Sequence, residues 1–155
     1  MVLEAVLEDL GYLLDSSVPS RRLSVGLQRN VPRQFFAPAG VYKPSRLDIS
    51  REGDCSILEV PPSSFFVPFN MSAIRAFGLS KLKWVANMAS RSAGFLNFYI
   101  HPVEVSDPSG LKPRPHEPKR YREGLGPENI DVLEELVDWV RDEAYQCARL
   151  CEHLG

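Results

Sequence analysis

Leu3, Val6, Leu7 and Leu10 recur at helical spacing and predict a helix over 2–10, which Gly11 stops. The short apolar run Tyr12-Leu13-Leu14 then reads as a strand ending at Asp15-Ser16-Ser17. Helix, one-residue stop, strand and polar tip is the rhythm of a parallel-sheet α/β protein, although no strand precedes this first helix. Cys55–Val60 predicts a second strand closed by Pro61-Pro62, with 48–54 as its hairpin partner and Glu52-Gly53-Asp54 as the turn. Two short helices are expected over 71–77 and 80–90, the second with Leu82, Val85, Ala86 and Ala89 on one face. Phe95–His101, bounded by Gly94 and Pro102, is aromatic-rich and nearly continuous in hydrophobicity, the pattern of a strand buried on both faces. Gly126-Pro127-Glu128 is a helix start, and a stripe of Leu133, Val137, Val140, Ala144, Cys147, Cys151 and Leu154 predicts a final amphipathic helix to about Leu154.

Between these elements lie two long loops. Residues 18–46 hold four prolines, six basic residues and no acid. They are either a solvated arm that offsets the acidic C-terminus or a lip over a groove for a polar or anionic ligand. Residues 104–127 are again Pro-rich, and basic from Lys112 to Arg122.

With 155 residues, 44% hydrophobic and 25% charged, the composition fits one globular domain spanning 1–155. The balance of 18 Lys+Arg against 20 Asp+Glu gives a net charge of -2, and a nucleic-acid partner is not expected without a basic excess. The longest uncharged run, 60–74, is broken by three prolines, so no membrane span is expected. The first ten residues carry acids where a secretory signal carries bases, and the three cysteines are expected as buried thiols in a reducing compartment; the expected location is cytoplasmic.

Reactive side chains of parallel α/β sheets cluster at the C-terminal ends of strands. Asp15 and His101 occupy such ends, and if their strands share one sheet both side chains reach the same rim. A carboxylate beside an imidazole raises its pKa and orients it as a general acid near neutral pH. A lone His before a Pro is more often a structural hydrogen-bonder than a catalyst. Cys147 and Cys151, one helical turn apart with His153 nearby, sit on the apolar stripe and read as packing rather than as metal ligands. Trp84 and Trp139 suit core or interface packing better than sugar stacking. G-x-x-x-x-G-K, G-x-S-x-G, C-x-x-C and H-E-x-x-H are all missing, which leaves nucleotide, serine-hydrolase, redox and zinc-protease readings without support.

Four segments together resemble one family: Leu-Gly-Tyr-Leu-Leu-Asp-Ser-Ser-Val (10–18), Tyr-Lys-Pro-Ser (42–45), Ile-Leu-Glu-Val-Pro-Pro-Ser (57–63) and Phe-Tyr-Ile-His-Pro-Val-Glu (98–104). In this order the set resembles the NodB-type polysaccharide deacetylases, where an Arg-Tyr loop (like Arg120-Tyr121) and a closing helix follow. The resemblance implies an α/β fold: a partial (β/α) barrel with long Pro-rich loops and a long C-terminal amphipathic helix. It implies hydrolysis of C–N bonds in N-acetylated sugars, with a divalent metal, usually zinc, polarising the carbonyl and activating water. His101 would then be the general acid, Asp15 the carboxylate that tunes it, and Tyr99 part of the pocket wall.

The departures are as informative. The Asp-Asp pair, the H-x-x-x-H ligands and the R-x-P segment of that family precede its Leu-Gly-Tyr element, and none occurs in this chain. His101, His116 and His153 are the histidines, none at ligand spacing, and Val103 replaces the usual Trp after His-Pro. No cofactor is expected in this chain itself. The expectation is the C-terminal portion of a metal-dependent deacetylase, inactive alone and completed elsewhere, either by the preceding part of a longer protein or by a separately encoded N-terminal half. The alternative is a non-catalytic remnant that forms a homo-oligomer through an exposed sheet edge and binds saccharide.

Overall fold

The computed structural model describes residues 2–23, 34–110 and 123–149, with side chains from Val6 onward. The chain divides into two compact units, Met1–Ile100 and His101–Gly155.

In the first unit, α1 (Val2–Asp9) ends where expected, with Gly11 at φ 77°. β1 (Leu14–Asp15) pairs in parallel with β2 (Leu58–Glu59), matching Leu14 to Leu58 and Asp15 to Glu59. The pairing continues on both sides: Leu58 N–H donates to Leu13 O at 3.0 Å and Val60 N–H to Asp15 O at 2.8 Å. On its other side β2 meets Tyr42, the two residues exchanging bonds of 3.1 and 2.8 Å between Tyr42 and Glu59. The parallel pair belongs to a mixed α/β arrangement; among the described residues it is two-stranded. β3 (Ser64–Phe65) and β4 (Val67–Pro68) form a tight antiparallel hairpin around Phe66, whose φ is 59°.

The hairpin before β2 is displaced from its expected position. Ser45 N–H bonds to Arg51 O (2.8 Å), Gly53 N–H to Lys43 O (2.8 Å) and Cys55 N–H to Pro44 O (3.0 Å). Glu52 and Gly53 are therefore ladder residues, and the turn falls within 46–50. The expected strand over 95–101 is likewise reduced to one parallel bridge, Asn70 with Tyr99, and a Ser63 N–H to Asn97 O bond of 3.1 Å. The intervening Pro61 and Pro62 carry no N–H, which interrupts the run of donors a ladder on this side would need. Residues 95–100 are half-buried rather than buried on both faces.

α2 (Met71–Phe77) and α3 (Leu79–Ala93) match the apolar periodicity. Asn70 caps α2, its Oδ1 accepting from Ala73 N–H at 2.8 Å. Gly94 closes α3 in the left-handed conformation, its N–H on Ser90 O at 2.7 Å. Leu82, Val85, Ala86 and Ala89 are all buried. Ile57, Val60, Phe69, Met71, Leu82 and Ala86 are each 1% exposed or less, so each large side chain contributes about 1.5–3 kcal/mol of apolar burial.

In the second unit, 3-10 turns at Pro102–Glu104 and Pro108–Gly110 precede α4 (Asn129–Asp142). The helix begins at Asn129 rather than at Pro127, and it ends twelve residues before the expected Leu154. Ala144, at φ 57°, turns the chain out of it. The buried face is centred on Leu136 and Trp139; Val137 is 42% exposed and Cys147 is exposed, against the expected stripe and the expected buried thiol. The bulkier Leu and indole cover more apolar area than the Val-and-small-residue stripe. Cys55, in the first unit, is buried as expected. Cys151, His153, His116, Arg120 and Tyr121 lie outside the described residues.

Candidate functional site

The carboxyl ends of β1 and β2 gather the polar residues of the first unit. Glu59 is 1% exposed, and its Oε1 accepts from Val18 N–H at 2.8 Å and from Ser17 N–H at 3.0 Å. A buried carboxylate is tolerated when donors replace its lost water, and here two main-chain N–H groups of the loop after β1 do so. Asp15 is held by the same loop: Oδ1 accepts from Ser16 N–H at 2.9 Å, and Oδ2 from the Ser17 hydroxyl. Asn97 then reaches across, its Nδ2 donating to Ser16 Oγ at 2.9 Å while its N–H donates to Ser63 Oγ at 2.8 Å.

Beside this network lies a cleft of about 130 Å³, lined by Ser17, Arg22, Ser63, Ser64 and Tyr99 with three prolines. Tyr99 stands in its wall. Its Oη accepts from Asn70 Nδ2 at 2.5 Å, so the residue that caps α2 also fixes the phenol. The arrangement presents hydroxyls, a guanidinium and a phenol around a small polar volume, which suits hydrogen bonding to a hydroxyl- or amide-bearing ligand.

Asp15 and Tyr99 thus belong to the first unit, one a hydrogen bond from the cleft residue Ser17 and the other in the cleft wall. His101 opens the second unit. Its side chain is exposed, and its N–H donates to Glu104 Oε2 at 2.9 Å. Glu104, itself 3% exposed, passes the connection on through its carbonyl, which accepts from Asn129 Nδ2 at 2.7 Å. Asn129 Nδ2 also reaches Gly124 O at 2.7 Å and so pins the approach to α4.

Sequence reasoning missed the roles of Glu59, Asn97, Asn70 and Asn129. A charged residue inside an apolar strand (Glu59) and an Asn directly before a helix (Asn70) were the available signals; nothing local marks Asn97. Trp84, expected in core or interface packing, is 59% exposed and makes a T-shaped contact with Phe65, whereas Trp139 is buried and contacts Tyr145. Among the described residues no three His, Cys, Asp or Glu side chains come together in a metal-holding group. No helix among them is long and apolar enough to cross a membrane. Compared with protein-family models, with curated proteins and with solved structures, the chain matches none.

Proposed function

We propose that this chain is the saccharide-facing portion of a polysaccharide deacetylase-type amide hydrolase, with the metal ligands supplied by residues outside it. The supporting observation is the polar cleft at the carboxyl ends of β1 and β2, with Ser17, Ser63 and Tyr99 in its lining and Asp15 bonded to Ser17. Ligand sites of open α/β sheets form at such strand ends. The resemblance adds His101 as the general acid and Asp15 as the carboxylate that tunes it.

A chitotetraose titration followed by amide NMR tests the cleft. Saturable shifts at Ser17, Ser63 and Tyr99 are expected, with binding weakened about tenfold in Tyr99→Phe by the loss of one hydrogen bond. An unresponsive cleft at millimolar sugar would refute the reading. His101→Ala should leave this binding unchanged and abolish acetate release once the metal-bearing portion is supplied; unchanged release in that variant would remove the general-acid role.

A second reading, the self-associating remnant, has its own observation. Leu10, Tyr12 and Leu13 are 68%, 56% and 73% exposed beside β1, whose only strand partner among the described residues is β2. It expects a concentration-dependent dimer in sedimentation velocity that Leu13→Asp dissociates. A monomer at all concentrations would discard it.

A further inference from the structure

A second concavity of the first unit, distinct from the polar cleft, occupies about 440 Å³, a volume within the range of small-molecule sites. Apart from Arg21, every residue of its lining is Phe, Ala or Pro. Four rings follow one another through it: Phe36 to Phe35 at 5.3 Å, Phe35 to Phe66 at 6.1 Å and Phe66 to Phe65 at 4.8 Å between centroids. Phe36 is 81% exposed and Phe66 46%.

The walls come from three separated segments that the main chain ties together. Arg21 N–H donates to Phe35 O at 3.2 Å, Phe66 N–H to Arg21 O at 2.9 Å, and Leu23 N–H to Phe66 O at 3.0 Å. Arg21 and Phe66 have φ of 51° and 59°, the left-handed region that side chains other than Gly rarely adopt, and both line this groove. A bulky ring held there and left half exposed is the kind of outlier that clusters at binding sites. Among the described residues Arg21 has no carboxylate partner, and the groove lining has no acid.

From these features we infer that the groove binds a small organic anion with a ring-bearing apolar body, such as an aryl carboxylate. The rings take the apolar body, and the Arg21 guanidinium takes the carboxylate in a charge-assisted, fork-shaped hydrogen bond. The walls being pre-tied, little ordering accompanies binding. This site does not depend on the saccharide reading and can fail or stand separately from it.

The test is isothermal titration of the full chain with 3-phenylpropionate and with its neutral analogue 3-phenylpropanol. Saturable one-to-one binding of the acid is expected, about tenfold or more tighter than the alcohol, since a hydrogen bond to a charged group carries that difference. Arg21→Gln should bring the acid down to the alcohol. Phe66→Gly, which suits the left-handed backbone and removes the ring, should weaken both. Should Phe66→Gly lose its native circular dichroism, Phe36→Ala, at a highly exposed position, replaces it with the same expectation. Equal binding of acid and alcohol, no saturation of either, or variants that bind like the parent would overturn the assignment. So would sedimentation with anionic vesicles in the absence of any binding of the free acid.

Discussion

The Glu59 carboxylate accepts the main-chain N–H of Val18, 41 residues away in sequence, at 2.8 Å. With the Ser17 N–H on the same oxygen at 3.0 Å, one side chain on β2 shapes the loop that leaves β1. That loop carries Asp15, Ser16 and Ser17, so the candidate site depends on a residue that contributes no group to the cleft lining.

Glu59→Ala should therefore cost about 3 kcal/mol, because two buried donors lose their acceptor and a cavity opens. Glu59→Gln keeps an acceptor oxygen and should cost about 1 kcal/mol. Urea unfolding measures both, and hydrogen exchange at Ser17 and Val18 should accelerate in the Ala variant alone. Equal costs for the two variants would mean that the carboxylate oxygen is not what holds the loop.

Tyr42 predicts an alkaline limb. It is 4% exposed, and its hydroxyl donates to Ile49 O at 2.5 Å. Burial first, then the negative charges of Glu59, Asp48 and Asp15, push its phenol well above the ordinary value of 10.0. The unfolded chain releases this proton near pH 10 while the folded chain keeps it. The stability it contributes is complete below about pH 10 and falls as the pH rises beyond, by about 1.4 kcal/mol per pH unit. Tyr42→Phe should show a shallower decline than the parent in urea midpoints between pH 9 and 12. Parallel curves would show that the phenol does not resist ionisation.

Asn70 joins two functions, capping α2 through Oδ1 and holding Tyr99 through Nδ2. Asn70→Asp keeps the cap oxygen but turns the Tyr99 donor into an acceptor, so stability should change little while chitotetraose binding weakens. Asn70→Ala should lose both, with about 1 kcal/mol of stability. A thermal melt paired with the sugar titration separates the two variants.

Gly53 and Gly94 should differ in their tolerance of a methyl group. A Cβ at Gly53 would meet Ser45 Cα at 2.4 Å, inside the tight 43–45 to 51–55 pairing. At Gly94 a Cβ meets nothing within 4 Å, and only the φ of 82° opposes it. Gly94→Ala should cost about 1 kcal/mol, the left-handed penalty. Gly53→Ala should cost clearly more, because backbone must move. Differential scanning calorimetry of the two proteins decides the order.

The sequence by itself determined what short-range periodicity and local stops can specify. Helices α1, α2 and α3 lie where their apolar spacing, Gly11 and Gly94 place them, because 3.6-residue periodicity and left-handed glycines act within a few residues. The β1 and β2 segments were legible as apolar runs, and Asp15 and His101 as polar groups at the ends of apolar runs, whereas Tyr99 entered only through the resemblance to the deacetylases. Only the tertiary structure decided which residues pair. Phe95–Ile100 has the composition of a central strand, yet Pro61-Pro62 on its neighbour removes the donors a ladder needs, a fact that becomes relevant only when the two segments lie side by side. The register that makes Glu52 and Gly53 ladder residues, and the face of α4 that selects Leu136 over Val137, depend on what packs opposite. So does the meeting of Glu59, Ser17 and Asn97, whose hydrogen bonds cross 42 and 81 residues of chain. Local pattern fixed the first three helices, while strand formation, pairing and the side chains brought together follow from burial and from hydrogen-bond satisfaction in three dimensions.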